Sequence, residues 1–443
     1  MRVMKWSMIA LAVAAAASTQ MATAAPFVSD QAEAKGFVDD AKLNLLVRNY
    51  YFNRDNKNTN NDQKDWTQGI WGNFSSGYTQ GTVGVGVDAF GYLAIKLDGG
   101  DGTGGTGNMS RDADGHVNDS QGKAGAAVKF RVSKTELKVG DMQPSTAPVF
   151  AVGGSRILPQ TASGFQLQSS EVKDLDLEAG HFYSSTSQDR NARDGDLWSQ
   201  YGGASAKSID YFGGKYGIND NLSVSLYGAK LEDIWNQYYA NVNLTTPISG
   251  DTSLNTDFNI YRTTDTGDAR VGDISNTTFS LATALSFLKA HTITLAFQKV
   301  NGDTPFDYIG VGKNNRGGDS IFLANSIQYS DFNGPEEKSA QIRYDLKMAE
   351  YGVPGLSFMT RYVTGWDIDG TKMAADSAYR GYGYGADGKH HETNFEAKYV
   401  VQSGPAKDLS FRIRQAWHVA NADQAEGDVK EFRLIVDYPL SVL

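Results

Sequence analysis

Apolar and polar residues alternate in short stretches along most of the chain. In residues 411–419, FRIRQAWHV, Phe411 and Trp417 fall on one face of an extended strand. Arg412 and Arg414 fall on the other face. A half-buried strand of a soluble protein also alternates, but it rarely sets two arginines against a face of Phe, Ile and Trp. The pattern is typical of a strand with lipid on one side and water on the other.

The same alternation recurs along the chain, and no long amphipathic helix interrupts it. The clearest examples are residues 43–54, 83–97, 128–133, 174–182, 221–229, 279–287, 291–299, 341–348, 356–366, 394–401 and 432–442. Membrane strands need about 9–11 residues each, so roughly eighteen would use about half of the chain. Barrels of sixteen to eighteen strands keep an aqueous lumen. We therefore predict an all-β fold, a transmembrane antiparallel β-barrel of about eighteen strands with loops folded into the lumen.

The N-terminus has the features of a secretory signal peptide. Arg2 and Lys5 precede an apolar run, which ends in small residues at Ala24. We predict that residues 1–24 are a signal peptide and that residues 25–443 form the barrel.

Composition narrows the functional classes. The 443 residues include no cysteine, so disulfides and thiolate metal sites are excluded. Acidic residues (51) outnumber Lys and Arg (41), giving a net charge of −10, which disfavours a nucleic-acid partner. His390 and His391 would point to opposite sides of a strand, and the acidic pairs at 112–114 and 367–369 lack the distal glutamate of a calcium loop. We expect neither a metal site nor a cofactor.

Residues 141–170 break the alternating rhythm. This mostly apolar segment holds three of the ten prolines, and proline cannot donate to a sheet ladder. We predict that it folds into the lumen as an inward constriction loop.

Several longer stretches resemble the outer-membrane porin D (OprD) family of Gram-negative bacteria. They include GTVGVGVDAFGYL, GGSRILPQTASGFQLQSSE, GKHHETNFEAKYVVQSGPAKDLSFRIRQAWH and EFRLIVDYPLSVL. The resemblance runs from the signal peptide to the C-terminus, although the chain ends in Leu443 instead of the terminal Phe common in such barrels. It implies an eighteen-stranded outer-membrane barrel in contact with lipid. The implied function is a selective channel for basic amino acids and small carboxylate-bearing peptides, which also admits carbapenem-type antibiotics.

The resemblance implies a monomer. An outer face of Phe, Trp and Leu would, however, suit a neighbouring barrel in a weak oligomer as well as it suits lipid.

Cations on the inward phase of the last strands predict a basic ladder, which the resemblance places at the same positions. The first strand must pair with the last in a closed barrel, and the constriction loop adds one arginine. The predicted ladder consists of Arg54, Arg156, Lys398, Arg412, Arg414 and Arg433. Further candidate inward cations are Lys64, Arg131, Arg343 and Arg361. Clustered cations in a constriction replace the hydration that a substrate carboxylate loses.

The resemblance also implies an acidic and aromatic wall opposite the ladder, to receive the cationic end of a substrate. Its candidates here are Asp331, Tyr308, Tyr329 and Tyr201. A carboxylate and an aromatic ring can bind a guanidinium or ammonium group through a charged hydrogen bond and a cation–π contact.

Two other functions compete with the selective channel. A general diffusion porin would lack a tight basic ladder. A serine-type protease could use Ser320, in a Gly-Gly-Asp-Ser sequence, with His181 and Asp233. However, His181 shares its strand phase with Leu175 and Leu177, which predicts a position on the lipid side, and nothing in the sequence builds an oxyanion hole.

Overall fold

Eighteen antiparallel strands form one sheet in the computed structural model, which describes residues 26–57, 61–99 and 103–443. The predicted signal peptide lies outside the described residues. The barrel strands are β1 (Lys42–Asn56), β2 (Gln63–Ser75), β3 (Val83–Asp98), β4 (Ser120–Val132), β5 (Thr135–Met142), β6 (Thr161–Ser169), β7 (Leu175–Thr186), β10 (Ile209–Asn219), β11 (Leu222–Leu231), β12 (Trp235–Ser249), β13 (Thr252–Asp265), β14 (Ser275–Phe287), β15 (His291–Asn301), β18 (Lys338–Lys347), β19 (Leu356–Ile368), β20 (Gly388–Val400), β21 (Ser410–Ala420) and β22 (Val429–Ser441).

The sheet closes on itself. Each barrel strand pairs with the next one along the chain, and β1 pairs with β22 in a register that sets Arg48 opposite Asp437 and Arg54 opposite Glu431. Closure leaves no strand edge unpaired, as a hydrocarbon environment requires. The predicted eighteen-stranded barrel is confirmed.

The two ends of the barrel differ in the length of their connections. One end, here called the turn end, has the connections 76–82, 133–134, 170–174, 220–221, 250–251, 288–290, 348–355 and 401–409. The other end, here called the loop end, carries the longer segments 99–119, 143–160, 187–208, 302–337 and 369–387, among others. Outer-membrane barrels place short turns in the periplasm and long loops outside the cell.

Side chains alternate between lipid and lumen as predicted. In β21, Phe411, Ile413 and Trp417 are each about two-fifths exposed on the outer face, while Ala416 and His418 are buried on the inner face.

One predicted inward cation is wrong. Lys64 shares the outward phase of β2 with the exposed Trp66 and Ile70, whereas the inward phase is set by the buried Asp65 and Thr67.

The predicted inward segment is shorter than 141–170. Asp141 and Met142 end β5 and Thr161–Ser169 form β6, so the connection itself is residues 143–160. The predicted bounds are too wide because the start of β6, residues 161–164, has no clear alternation of apolar and polar residues. The three prolines all lie within the connection itself.

The connection 143–160 reaches across the inside of the barrel. Phe150 packs with Phe182 of β7, whereas Ile157 and Leu158 pack in a separate apolar cluster with Trp71 of β2. These contacts join two different parts of the inner wall.

Short elements tie the loops together inside the loop end. A small sheet joins β8 (Leu197–Ser199) and β9 (Ser205–Ala206) of one loop to β16 (Ile309–Val311) and β17 (Arg316–Gly317) of another. The 3-10 helices are Gln31–Glu33, Met348–Tyr351 and Ala378–Tyr382. Within the described residues, no helix has both the length and the apolar character to cross a membrane.

Candidate functional site: a charged lumen

Three guanidinium groups surround one aromatic ring on the inner wall. The Cζ atoms of Arg54, Arg156 and Arg433 lie 5.3, 5.4 and 5.3 Å from the ring centre of Phe52. Glu431 accepts hydrogen bonds from Arg54 Nε (2.8 Å) and from Arg433 Nε (2.6 Å). The shared carboxylate offsets part of the repulsion between the arginines, so they can be held close together.

A second pair of arginines continues the row on β21. Arg412 Nη2 donates to Glu396 at 2.7 Å, and Arg414 Nε lies 3.2 Å from the same carboxylate. Within the described residues, the buried Nε atoms of both arginines lack a hydrogen-bond acceptor. Lys398 extends the row toward the turn end, where it lies opposite Arg412 in register and is exposed.

Arg156 is the ladder arginine without an ion pair in the part of the chain that the structure describes. Its Nε donates to the Thr106 carbonyl at 3.0 Å, and its Nη1 lies 3.4 Å from Ser155 Oγ. Burial, with the nearby charge of Arg433, lowers the pKa of Arg156 to about 10, so the group remains charged at neutral pH. Among the described arginines of the ladder, Arg156 is therefore the one whose guanidinium has no paired carboxylate.

Sequence reasoning missed the role of Arg48, although its inward phase was visible. Arg48 Nη1 donates to the carbonyls of Gly154 (3.0 Å) and Arg156 (2.8 Å). The same guanidinium pairs with Asp437 and stacks over Trp71. A buried wall residue thus fixes the backbone that carries Arg156.

Three of the four predicted wall residues, Asp331, Tyr201 and Tyr308, meet in one cluster. Asp331 Oδ2 accepts hydrogen bonds from the hydroxyls of Tyr201 (2.8 Å) and Tyr308 (3.0 Å). Burial, reinforced by the Asp331 charge, raises the pKa of both tyrosines well above the usual value. Both phenols therefore stay protonated and hold the carboxylate in place.

Asp307 positions this cluster, and no pattern in the sequence marked it. Its buried carboxylate accepts hydrogen bonds from Ser199 Oγ (2.5 Å), the Tyr201 amide (3.0 Å) and Tyr379 Oη (3.1 Å). These donors come from two other loops. Burial raises the pKa of the Asp307 carboxyl, and the hydrogen bonds oppose the rise.

Tyr329 connects the ladder to the wall. Arg54 Cζ lies 4.9 Å from its ring centre, and the adjacent Gln328 carbonyl accepts a hydrogen bond from Arg433 at 3.1 Å. The Tyr329 ring also lies 4.9 Å from the ring of His418, which forms a pair with His390.

His390, His418 and Glu426 lie together in the structure, although their spacing in the sequence did not reveal this. His390 Nδ1 lies 2.8 Å from His418 Nε2, and Glu426 lies 3.8 and 3.6 Å from the same two atoms. The remaining ring nitrogens face Glu337 and the Gly427 carbonyl. All four ring nitrogens thus have hydrogen-bond partners within the protein.

Asp319 is a second lumen carboxylate that the sequence analysis did not assign to the channel. Burial raises its pKa to about 6, while a hydrogen bond from the Gly154 amide and the charge of Arg156 oppose the rise. Asp319 therefore titrates at about pH 6, close to Arg156.

The protease candidates are not assembled. His181 faces outward and pairs with Asp210 at 2.7 Å. Ser320 is fully buried, and its Oγ accepts a weak hydrogen bond from the Ile309 amide at 3.4 Å. Asp233 lies in the loop after β11. Among the described residues no hydrogen bond joins these three side chains.

Three further predicted cations do face inward. Arg131 stacks on Tyr78, with Cζ 3.9 Å from the ring centre. Arg343 and Arg361 lie directly opposite each other on β18 and β19. Arg343 and Arg361 extend the basic row from β21 around the barrel, whereas Arg131 lies apart from it on β4.

A closed barrel with apolar residues outside and paired charges inside defines an outer-membrane channel protein. Comparison with known proteins makes the assignment specific. Residues 35–442 match the family described as outer membrane porin, OprD family. The chain is 66% identical to porin D of Pseudomonas aeruginosa over the full length of both proteins. The chain belongs to the OprD family and is a porin of the outer membrane.

Solved structures of relatives have the same fold. A crystal structure of P. aeruginosa OprD is 64% identical, with a TM-score of 0.84, covering 95% of this chain and all of that one. P. aeruginosa OpdK, solved with vanillate, is 34% identical, with a TM-score of 0.82, covering 92% of this chain and all of that one.

Proposed function

We propose that this porin is a selective channel for small molecules that carry both a carboxylate and a cationic group, such as basic amino acids and small peptides. The observation that carries the proposal is that a row of arginines and a carboxylate held by two phenols both lie inside the barrel. Arg156 lacks an ion pair within the described residues, and Tyr329, which stacks against Arg54, is two residues from Asp331.

The ladder supplies the carboxylate-binding side. Five of the arginines share three carboxylates, as Arg48 with Asp437, Arg54 and Arg433 with Glu431, and Arg412 and Arg414 with Glu396. With Arg156 the row is cationic overall, and a narrow low-dielectric channel strengthens its field. Vanillate, found in a relative, is itself a carboxylate. Carbapenem-type antibiotics carry a carboxylate and belong to the same proposed class.

The wall supplies the cation-binding side. Asp331 is held by two phenols, those of Tyr308 and Tyr201, whose rings pack edge to face against each other. Arginine could then extend between Arg156 and Asp331, with its carboxylate on the ladder and its guanidinium on the wall. We also propose that connection 143–160 forms the constriction and that the channel works as a monomer.

Flux through liposomes tests this function. Purified protein should pass arginine faster than a neutral sugar of similar size, and Arg412→Ala or Arg414→Ala should reduce the passage of arginine. Equal rates for arginine and the sugar would instead support a general diffusion porin.

A further inference from the structure

The outer face of the barrel has an uneven distribution of charge. Among the described residues, the outward-facing Lys and Arg side chains of the barrel strands all lie near the loop end. They are Lys64, Lys230, Arg262, Lys299, Lys338, Lys389 and Lys430. Cations at the edge of a membrane span meet the lipid headgroups. The loop-end leaflet is therefore the one to which this surface presents positive charge.

Three of these cations form a strip on one side of the barrel. Lys230, Arg262 and Lys299 project from β11, β13 and β15, each offset by two residues of register from the next. Strand spacing places neighbouring members roughly 10–12 Å apart, which long side chains can bridge toward one headgroup.

The strip has little compensating negative charge. Arg262 donates to two hydroxyls, those of Thr277 (3.1 Å) and Ser275 (3.0 Å). Within the described residues, Lys230, Arg262 and Lys299 each lack a carboxylate within ion-pair distance. Asp210 of β10 lies directly opposite Lys230, but its carboxylate is paired with His181. By contrast, Lys338 and Lys389 are paired with Asp367 and Asp387.

An apolar groove across β10 to β13 lies beside Arg262, the middle member of the strip. It has a volume of about 480 Å³ and is lined by Arg262 together with Phe212, Leu226, Gly228, Tyr238, Ala240 and Ile260. Small residues form its floor, because Gly228 and Ala240 lie between the exposed side chains of Leu226 and Tyr238. A groove with a cationic rim matches an acyl chain joined to an anionic headgroup.

We propose that the Lys230–Arg262–Lys299 strip and this groove form a binding site for a phosphate-bearing acyl lipid of the loop-end leaflet. The phosphate lies against Arg262, with Lys230 and Lys299 on either side of it, and an acyl chain lies along the groove. The site faces away from the lumen, so the proposal is independent of what passes through the channel.

Lipid titration of the full protein in neutral detergent, followed by native mass spectrometry, tests the site. Phosphatidic acid should bind about a hundredfold more tightly than phosphatidylcholine with the same acyl chains. Joint substitution of Lys230→Gln, Arg262→Gln and Lys299→Gln should abolish this preference, since each surface cation contributes roughly fivefold. A matched control changes Lys134, Lys173 and Lys289 to Gln in turn-end connections and should retain it.

Two results would overturn the proposal. One is equal affinity of the unmodified protein for both lipids, and the other is an equal loss of preference in the two triple variants. Ala240→Trp fills the groove on a lipid-facing surface and should weaken binding of phosphatidic acid several-fold. Inorganic phosphate should not displace the lipid at equal concentration; displacement would show that the acyl groove plays no part.

Discussion

Replacement of Arg156 by Gln is the most direct test of the proposed carboxylate contact. Among the described side chains of the ladder, this is the guanidinium with no carboxylate partner. Its hydrogen-bond acceptors are two oxygens, and it packs over the Phe52 ring. The backbone around it should stay in place, because Arg48 holds the Arg156 carbonyl and Ile157 remains buried.

The expected effect follows from the strength of a charged hydrogen bond. Such a bond contributes about 1.5–3 kcal/mol, and each 1.4 kcal/mol is about tenfold in affinity. We therefore expect Arg156→Gln to weaken the apparent affinity for arginine by about 10- to 100-fold. At arginine concentrations well below saturation, the flux should fall in the same direction.

Comparison of arginine with agmatine, which lacks the carboxylate, isolates this contact. Flux into liposomes is measured for both, with Lys372→Gln as a control, since Lys372 is an exposed loop residue. Arg156→Gln should reduce arginine flux and leave agmatine flux nearly unchanged. If both fluxes fall equally, or neither changes, Arg156 does not bind the carboxylate.

Three further predictions concern the wall, the constriction and pH. Asp331→Asn should reduce arginine flux at least several-fold while sparing a neutral sugar, because the cationic end loses its charged acceptor; liposome flux measures both. Arg48→Ala should destabilise the protein by about 3–5 kcal/mol, since it leaves Asp437 unpaired, and single-channel recordings should show a noisier current as connection 143–160 loosens. Cation selectivity, measured as a reversal potential, should fall as pH drops through about 6, because Asp319 has a raised pKa and loses its negative charge there.

Controls separate these effects from general damage. Asp319→Asn should remove the change in reversal potential near pH 6, and persistence of that change would assign it to another group. Arg48→Lys retains a charge but cannot donate to Asp437 and two carbonyls together, so it should restore only part of the stability. Asp387→Asn, in an exposed pair with Lys389, should not affect the flux of arginine.

Periodicity alone determined the barrel and the inward faces of its last strands. A two-residue repeat leaves only two sides for each side chain, so the alternation by itself places Arg412, Arg414 and Arg433 on the lumen side. The same rule places Lys64 outward, because it shares its phase with Trp66 and Ile70, so its predicted inward position is wrong.

The charged site depended on tertiary structure in ways that the sequence could not specify. Asp307 fixes three loops through buried hydrogen bonds, and Arg48 holds connection 143–160 through two carbonyls. Neither contact has a repeating pattern, because loop backbones follow no period and their partners lie 72 to 108 residues away along the chain. The sequence thus determined which side chains face the lumen. Only the folding of the loops decided which of these charges meet each other and left Arg156 as the ladder arginine that lacks an ion pair within the described residues.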